Sequence, residues 1–280
     1  MVNFLLLGGD ERQLYLSRIL KQNGYTTTLH YDQEEPDFSL EKAIADSSVI
    51  VCPVPFTRDK INLYSKQGIK DLGIGNLLSL MSSKQTLFGG NVPDYVKEYA
   101  LNHDIILFDY MDLLAVPLKN TIATAEGSVA EAIRYSPICL HQSQCLITGF
   151  GRCAKTLALK LKGLDAQVTI SGRKESQLEL AKAMGFTALS LDHLKDKIVD
   201  FDFIFNTVPA PILGEAQIRS MNSNVTIIDI ASAPGGVDFE FCRQQGIRAK
   251  LCPGLPGIYA PETSAQILYE AIVTCLPKNV

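Results

Sequence analysis

Gly149-Phe150-Gly151-Arg152-Cys153-Ala154 places two glycines and an alanine in the spacing G-x-G-x-x-A, between the apolar run Cys145-Leu146-Ile147-Thr148 and a helical pattern over 155–162. In that setting the pattern is suited to the pyrophosphate of a dinucleotide. Gly149 permits the tight turn, Gly151 lets the phosphates approach the backbone, and Ala154 lets helix and strand pack closely. Phe150 and Arg152 belong to the same turn. The free N–H groups and positive dipole end of the following helix complete the anion site. The next strand ends in Thr169-Ile170-Ser171-Gly172-Arg173-Lys174, with no carboxylate before Glu175. An NAD-selective site carries Asp or Glu there to bind the ribose 2′-hydroxyl. Ser171, Arg173 and Lys174 suit a 2′-phosphate instead, so NADP is the expected cofactor. The bland alternative is a solvated turn with two surface cations.

Later strand ends extend this rim, because ligands of open α/β sheets bind outside the carboxyl ends of the strands. Asn206-Thr207-Val208-Pro209 is expected near the nicotinamide ribose, and Asp229-Ile230-Ala231-Ser232 on the same rim, unless it is a simple cap or turn. Cys252-Pro253-Gly254-Leu255-Pro256-Gly257 reads as a rigid loop, with Pro256 against the nicotinamide or packed for structural reasons.

The first half offers candidates for an acidic substrate. Gly8-Gly9-Asp10-Glu11-Arg12 sits at a strand–helix junction but lacks the dinucleotide spacing. Asp10 and Arg12 are candidates there. Arg12 is able to grip a substrate carboxylate bidentately, or equally to pair with Asp10 or Glu11. Thr57 and Arg58 follow another strand end. Thr124, Glu126, Gly127 and Ser128 open a predicted connecting helix, with Thr124 as N-cap and Glu126 in the first turn. That helix start is suited to a substrate carboxylate, and Glu126 to a base, although capping explains the same residues. His30, His103, His141 and His193 form no H-x-x-H or H-E-x-x-H pattern, so no metal site is expected.

These residues need a scaffold, and 280 residues correspond to about two domains. Hydrophobic residues make up 46% and charged residues 20%, enough apolar material for two cores. The net charge of −4 argues against a nucleic-acid partner. Residues 1–140 carry 12 basic and 17 acidic side chains (net −5), whereas 141–280 carry 14 and 13 (net +1). The second half is the better host for phosphate. Seven cysteines without a C-x-x-C spacing suit buried, reduced thiols. No signal peptide or membrane span is expected, which implies a soluble, cytoplasmic chain.

The punctuation alternates strand and helix along both halves. Strands are expected at 2–7, 25–30, 48–52, 85–89 and 104–108, then at 144–148, 167–170, 188–189, 203–206, 225–229 and 247–251. The predicted fold is α/β: two Rossmann-like, doubly wound parallel-sheet domains separated by a cleft and joined by connecting helices. The expected boundaries are 1–120 for a substrate or partner domain, 121–140 for the connecting helix, 141–262 for the NADP domain, and 263–280 for a C-terminal helix able to pack back on the first domain.

The whole pattern resembles the A-type chains of dipicolinate synthase from spore-forming bacteria. The resemblance rests on Leu7-Gly8-Gly9-Asp10 with Arg12-Gln13, Thr124-Ala125-Glu126-Gly127, Gly149-Phe150-Gly151-Arg152, Gly172-Arg173 and Asn206-Thr207-Val208-Pro209. It extends to Pro234-Gly235-Gly236-Val237-Asp238-Phe239, Pro253-Gly254-Leu255-Pro256-Gly257-Ile258 and Pro261-Glu262-Thr263 with Ala265. The resemblance implies NADP-dependent oxidation of dihydrodipicolinate, a cyclic dicarboxylate, to dipicolinate. It also implies, as partner, the smaller flavoprotein-like B subunit of dipicolinate synthase, and as location the mother-cell cytoplasm of a sporulating bacterium. Self-association into a homo-oligomer is compatible with it. Two alternatives stay open: a hydroxy-acid or shikimate-type dehydrogenase of the same architecture, and a non-catalytic NADP-binding subunit of a synthase complex.

Overall fold

A computed structural model describes residues 2–32 and 38–276. The chain divides into two compact units, residues 1–120 with 260–280, and residues 121–259.

The first unit runs β1 (Asn3–Leu7), α1 (Glu11–Gln22), β2 (Thr26–His30), α2 (Leu40–Ala45), β3 (Val49–Val51), α3 (Ile74–Leu80), β4 (Thr86–Gly89), α4 (Asp94–Asn102) and β5 (Ile106–Asp109). Its five strands are all parallel, in the order β2-β1-β3-β4-β5. Alternation within β1 sets the two faces. Leu5 and Leu7 join Ile50, Leu87 and helices α2 to α4, while Phe4 and Leu6 join Val51, Phe88 and α1 on the other side. Both faces are apolar because both are covered, as parallel sheets require.

Helix α5 (Ala115–Tyr135) carries the chain from the first unit into the second. It begins six residues before the connecting helix expected at 121–140. Pro117 does not break it, because a proline in the first turn removes an N–H that has no intrahelical partner.

The second unit runs β6 (Gln144–Thr148), α6 (Arg152–Gly163), β7 (Gln167–Gly172), α7 (Glu175–Ala183), β8 (Thr187–Ser190), α8 (Leu194–Lys197), β9 (Phe203–Asn206), α9 (Glu215–Ile218), β10 (Thr226–Asp229), α10 (Phe239–Gln244), β11 (Arg248–Leu251) and α11 (Leu255–Tyr259). Its six parallel strands are ordered β11-β10-β9-β6-β7-β8, the doubly wound order of dinucleotide-binding sheets. Cys145 and Ile147 face α6 and α7, and Leu146 faces α8 to α10.

The chain returns to the first unit after Tyr259, and α12 (Pro261–Cys275) packs on α1 there. Residues 260–262, expected in the nucleotide unit, belong to the first; Pro261 opens the helix at a position where proline is favoured. Residues 277–280 of the expected C-terminal segment lie outside the described residues. Helices α3, α8, α10 and α11 are short, four to seven residues each. No described helix is long and apolar enough to cross a membrane.

Candidate functional site

In the second unit the glycine turn has the geometry its spacing demands. Gly149 lies at φ +83°, and its N–H donates to the Ser171 carbonyl at 2.7 Å. A Cβ there would stand 2.9 Å from both Thr207 Oγ1 and Val208 Cγ2. Gly151 caps α6 without a side-chain oxygen, and the place of its Cβ is open space. Ala154 is fully buried beneath the turn. The α6 N-terminus is therefore presented to a ligand, and the residues fit a dinucleotide pyrophosphate. Phe150 turns its ring inward, edge-on to Phe186 at 6.3 Å, so only its backbone faces the turn. Arg152 is exposed at the start of α6.

At the end of β7 the candidates part company. Ser171 is fully buried, with an Oγ that makes no hydrogen bond among the described residues, so its side chain points into the fold. Arg173 and Lys174 are exposed, and neither forms an ion pair among the described residues. Two uncommitted cations beside an open helix N-terminus can hold phosphate groups.

The ends of β9 and β10 are joined by a buried polar network. Asn206 Oδ1 accepts from Thr148 Oγ1 at 2.6 Å and from Val208 N at 3.2 Å. Its Nδ2 donates to Val208 O at 3.1 Å and to Asp229 Oδ1 at 2.8 Å. Asp229 further accepts from Ala231 N at 2.9 Å and Gly236 N at 3.0 Å. Gly236 packs so closely that a Cβ would lie 2.6 Å from Asn206 Nδ2, Val208 O and Ala210 O. Asn206 and Ala231 thus shape the loops rather than offering side chains to a ligand. Thr207 Oγ1 donates to Thr148 O at 2.7 Å, which clamps its loop over Gly149, and Pro209 is exposed at the loop's tip. Thr148, Asp229 and Gly236 escaped the sequence reading as one unit. Their signal was an acidic strand end followed six and seven residues later by Gly235-Gly236. Pro256, expected in a loop, is helical within α11.

The connecting-helix candidates are placed differently from expectation. Thr124, Glu126, Gly127 and Ser128 lie inside α5, not at its start, so Thr124 is no N-cap and offers no free helix terminus. The Thr124 carbonyl accepts from Ser128 Oγ at 2.7 Å. Gly127 is a contact glycine: a Cβ would lie 2.9 Å from Tyr259 and 3.0 Å from Leu255. Glu126 is exposed and paired with Lys160 at 2.8 Å. Lys160 is two turns into α6, roughly 12 Å along the helix from Arg152, so Glu126 does not stand by the glycine turn as a base would.

In the first unit, Asp10 caps α1 by accepting from Arg12 N at 3.2 Å. The Arg12 guanidinium grips the same carboxylate at 2.8 and 2.7 Å and donates to the Val54 carbonyl. Both side chains are buried, so of the two expectations for Arg12 the local pair is the one formed. Thr57 accepts from Lys60 N at 3.0 Å and bonds Asp59 at 3.1 Å, within its own turn. Arg58 is exposed, 4.1 Å over the Tyr64 ring.

All seven cysteines are free. Burial pushes the Cys145 thiol up to about 12, and Cys242 and Cys252 up to about 11, so these are packing residues rather than nucleophiles.

Comparison with known proteins adds to this geometry. Residues 3–111 match the family of N-terminal domains of the dipicolinate synthase A chain, and residues 118–236 match the NAD binding domain of D-isomer specific 2-hydroxyacid dehydrogenases. The second unit is thus an NAD(P)-binding dehydrogenase domain. The dipicolinate synthase A chain of Bacillus subtilis (strain 168) is 30% identical over 276 residues, covering 95% of this chain and 93% of that protein. The crystal structure of the dipicolinate synthase A chain from Bacillus subtilis superposes with a TM-score of 0.81 at 28% identity, covering 98% and 95% of the two chains. The corresponding crystal structure from Bacillus halodurans shares the fold, with a TM-score of 0.87 at 24% identity over 99% and 98%. Across nearly its whole length, the chain belongs to the family of dipicolinate synthase A chains.

Proposed function

We propose that the chain oxidises dihydrodipicolinate to dipicolinate with NADP. The observation that carries this reading is the open α6 N-terminus flanked by two uncommitted cations, Arg173 and Lys174, in a chain of this family. NADP, when bound, supplies the acceptor for the hydride that leaves a ring C–H, while a proton departs as the ring becomes aromatic. The backbone N–H groups at Gly151 and Arg152 hold the pyrophosphate. Arg173 engages the 2′-phosphate through its planar fork, and Lys174 adds a point charge. The loops after β9 and β10, locked by Asn206 and Asp229, form a fixed wall at the strand ends. Fixing that wall before the ligands arrive lowers the cost of orienting them.

The relatives are designated one of the subunits of a synthase, which supports assembly with a second chain. We read that chain as the flavoprotein-like B subunit of dipicolinate synthase, and the setting as the mother-cell cytoplasm of a sporulating bacterium.

The test mixes purified chain, alone and with the B subunit, with NADP and freshly generated dihydrodipicolinate. The expected result is a rise in reduced-nicotinamide absorbance; no rise in either mixture overturns the reaction. Replacing Arg173 and Lys174 together by alanine is expected to weaken NADP by ~tenfold or more and NAD little. Equal losses for both cofactors would refute the NADP preference.

A further inference from the structure

The strand order β2-β1-β3-β4-β5 of the first unit has its switch point between β1 and β3, where open parallel sheets bind ligands. Here the chain fills that crevice with its own groups. Gln13 Nε2 donates to the carbonyls of Leu7 and Val51 at 3.2 and 3.1 Å, bridging the two strand ends. Arg12 is held by Asp10 and Val54 beside it. The segment 57–73 is then fastened over the turn, with Gly9 N donating to Tyr64 O at 2.7 Å and Lys66 N to Gly9 O at 2.8 Å. A Cβ on Gly8 would stand 2.7 Å from Tyr64 O, so this closure is built into the glycine turn.

That segment carries a cavity of its own, about 450 Å³, whose walls include Arg58, Tyr64, Lys70, Ser65 and Ile69. The size falls within the roughly 300–1,000 Å³ of small-molecule pockets. Arg58 stacks on Tyr64, which holds its guanidinium plane in one orientation while its N–H edge stays available. Neither Arg58 nor Lys70 forms an ion pair among the described residues. Ser65 Oγ accepts from Ile69 N at 3.2 Å and keeps its proton for another acceptor. Asp59 also lines the cavity, but its carboxylate is already committed. It accepts from Ile61 N and Asn62 N at 2.8 Å, Asn62 Nδ2 at 2.9 Å and Thr57 Oγ1 at 3.1 Å. These bonds, those from Asn62 foremost, hold it well below the usual carboxylate range. The walls thus carry two cations and one ionised carboxylate whose oxygens are taken up by its own turn, a net positive charge.

We infer that this cavity is the carboxylate subsite of the first unit, where Arg58 grips one carboxylate of a small aromatic dicarboxylate and Lys70 supplies the second positive charge. The identity of the dicarboxylate rests on the reaction proposed above; the anion site rests on the cavity itself.

Calorimetric titration of the full chain with dipicolinate tests it. Arg58→Ala is expected to weaken binding ~tenfold or more, and Lys70→Ala several-fold, at an unchanged melting temperature. Arg58→Lys falls between, keeping the charge but losing the fork and the stacking. Arg18→Ala, which removes an exposed cation stacked on Tyr15 elsewhere in the unit, binds as the parent does. Three results would overturn the subsite: no dipicolinate binding by the parent chain, unchanged binding by Arg58→Ala, or Arg58-dependent binding of inorganic phosphate as tight as that of dipicolinate. Arg58-dependent binding without oxidation would remove the reaction and keep the subsite. Oxidation with an unchanged KM in Arg58→Ala would remove the subsite and keep the reaction.

Discussion

Asn206 Nδ2 donates to Asp229 Oδ1 at 2.8 Å and thereby ties the carboxyl ends of β9 and β10 into one buried cluster. Neither side chain has exposed surface, so both act on the site by holding backbone in place. Asp229→Ala leaves the N–H groups of Ala231 and Gly236 and the amide of Asn206 without their acceptor. A loss of about 3 kcal/mol is expected, because several buried donors lose a charged partner together. Urea unfolding measures it, and a change below the error of that method would show that the network does not hold the loops.

Gly149 and Gly151 should separate folding from binding. Gly149→Ala places a methyl at positive φ against Thr207 and Val208, so it is expected to lower the melting temperature. Gly151→Ala meets no protein atom and should leave the stability within about 0.5 kcal/mol of the parent. Its methyl points where the pyrophosphate must approach, so dinucleotide affinity falls. Thermal melts with and without NADP distinguish the two.

Arg12 is expected to behave as a structural residue. Arg12→Ala strands the buried Asp10 carboxylate, at a cost of roughly 3–5 kcal/mol. Replacing both members, Asp10→Asn with Arg12→Leu, should recover part of that loss. A rise in KM at unchanged stability would instead return Arg12 to the substrate.

Acid should reveal the pair between Glu131 and Lys250, whose N···O distance is 2.6 Å. Burial pushes the Glu131 carboxyl up, but hydrogen bonds from Lys250 and Tyr259 outweigh it and leave it below the ordinary value. The folded state thus binds this proton less readily than the unfolded state. The stabilisation is complete above about pH 4.3, the ordinary glutamate value, and is lost as pH falls through the lower folded value. Glu131→Gln should be less stable than the parent at pH 7, and the gap should narrow below about pH 4. A gap that stays constant with pH would remove the charge from the explanation.

Much of the second unit was legible in the sequence because its constraints are local. G-x-G-x-x-A between Thr148 and the next helix encodes a turn that few other residues can make, and Gly149 and Gly151 fold as their spacing predicts. The central strands were legible for a similar reason, since a parallel strand covered on both faces reads as a nearly continuous apolar run, as β1, β3 and β6 do. Helix α5 starts ahead of the expected connecting helix at 121–140, and its added first turn contains Pro117. Only its position in the first turn makes it harmless.

The sequence by itself determined the two parallel sheets, the glycine turn, the absence of a carboxylate at the end of β7 and the family. Each is a pattern in neighbouring residues. What only the tertiary structure decided is which charges are spent and which remain available. Arg12 and Arg58 are alike as letters near strand ends, yet one is enclosed by Asp10 and Val54 while the other lies over Tyr64 with no acidic partner among the described residues. Partners 42 residues apart, such as Arg12 and Val54, meet only when β1 and β3 pair. Side-chain availability is a property of that packing, not of spacing along the chain.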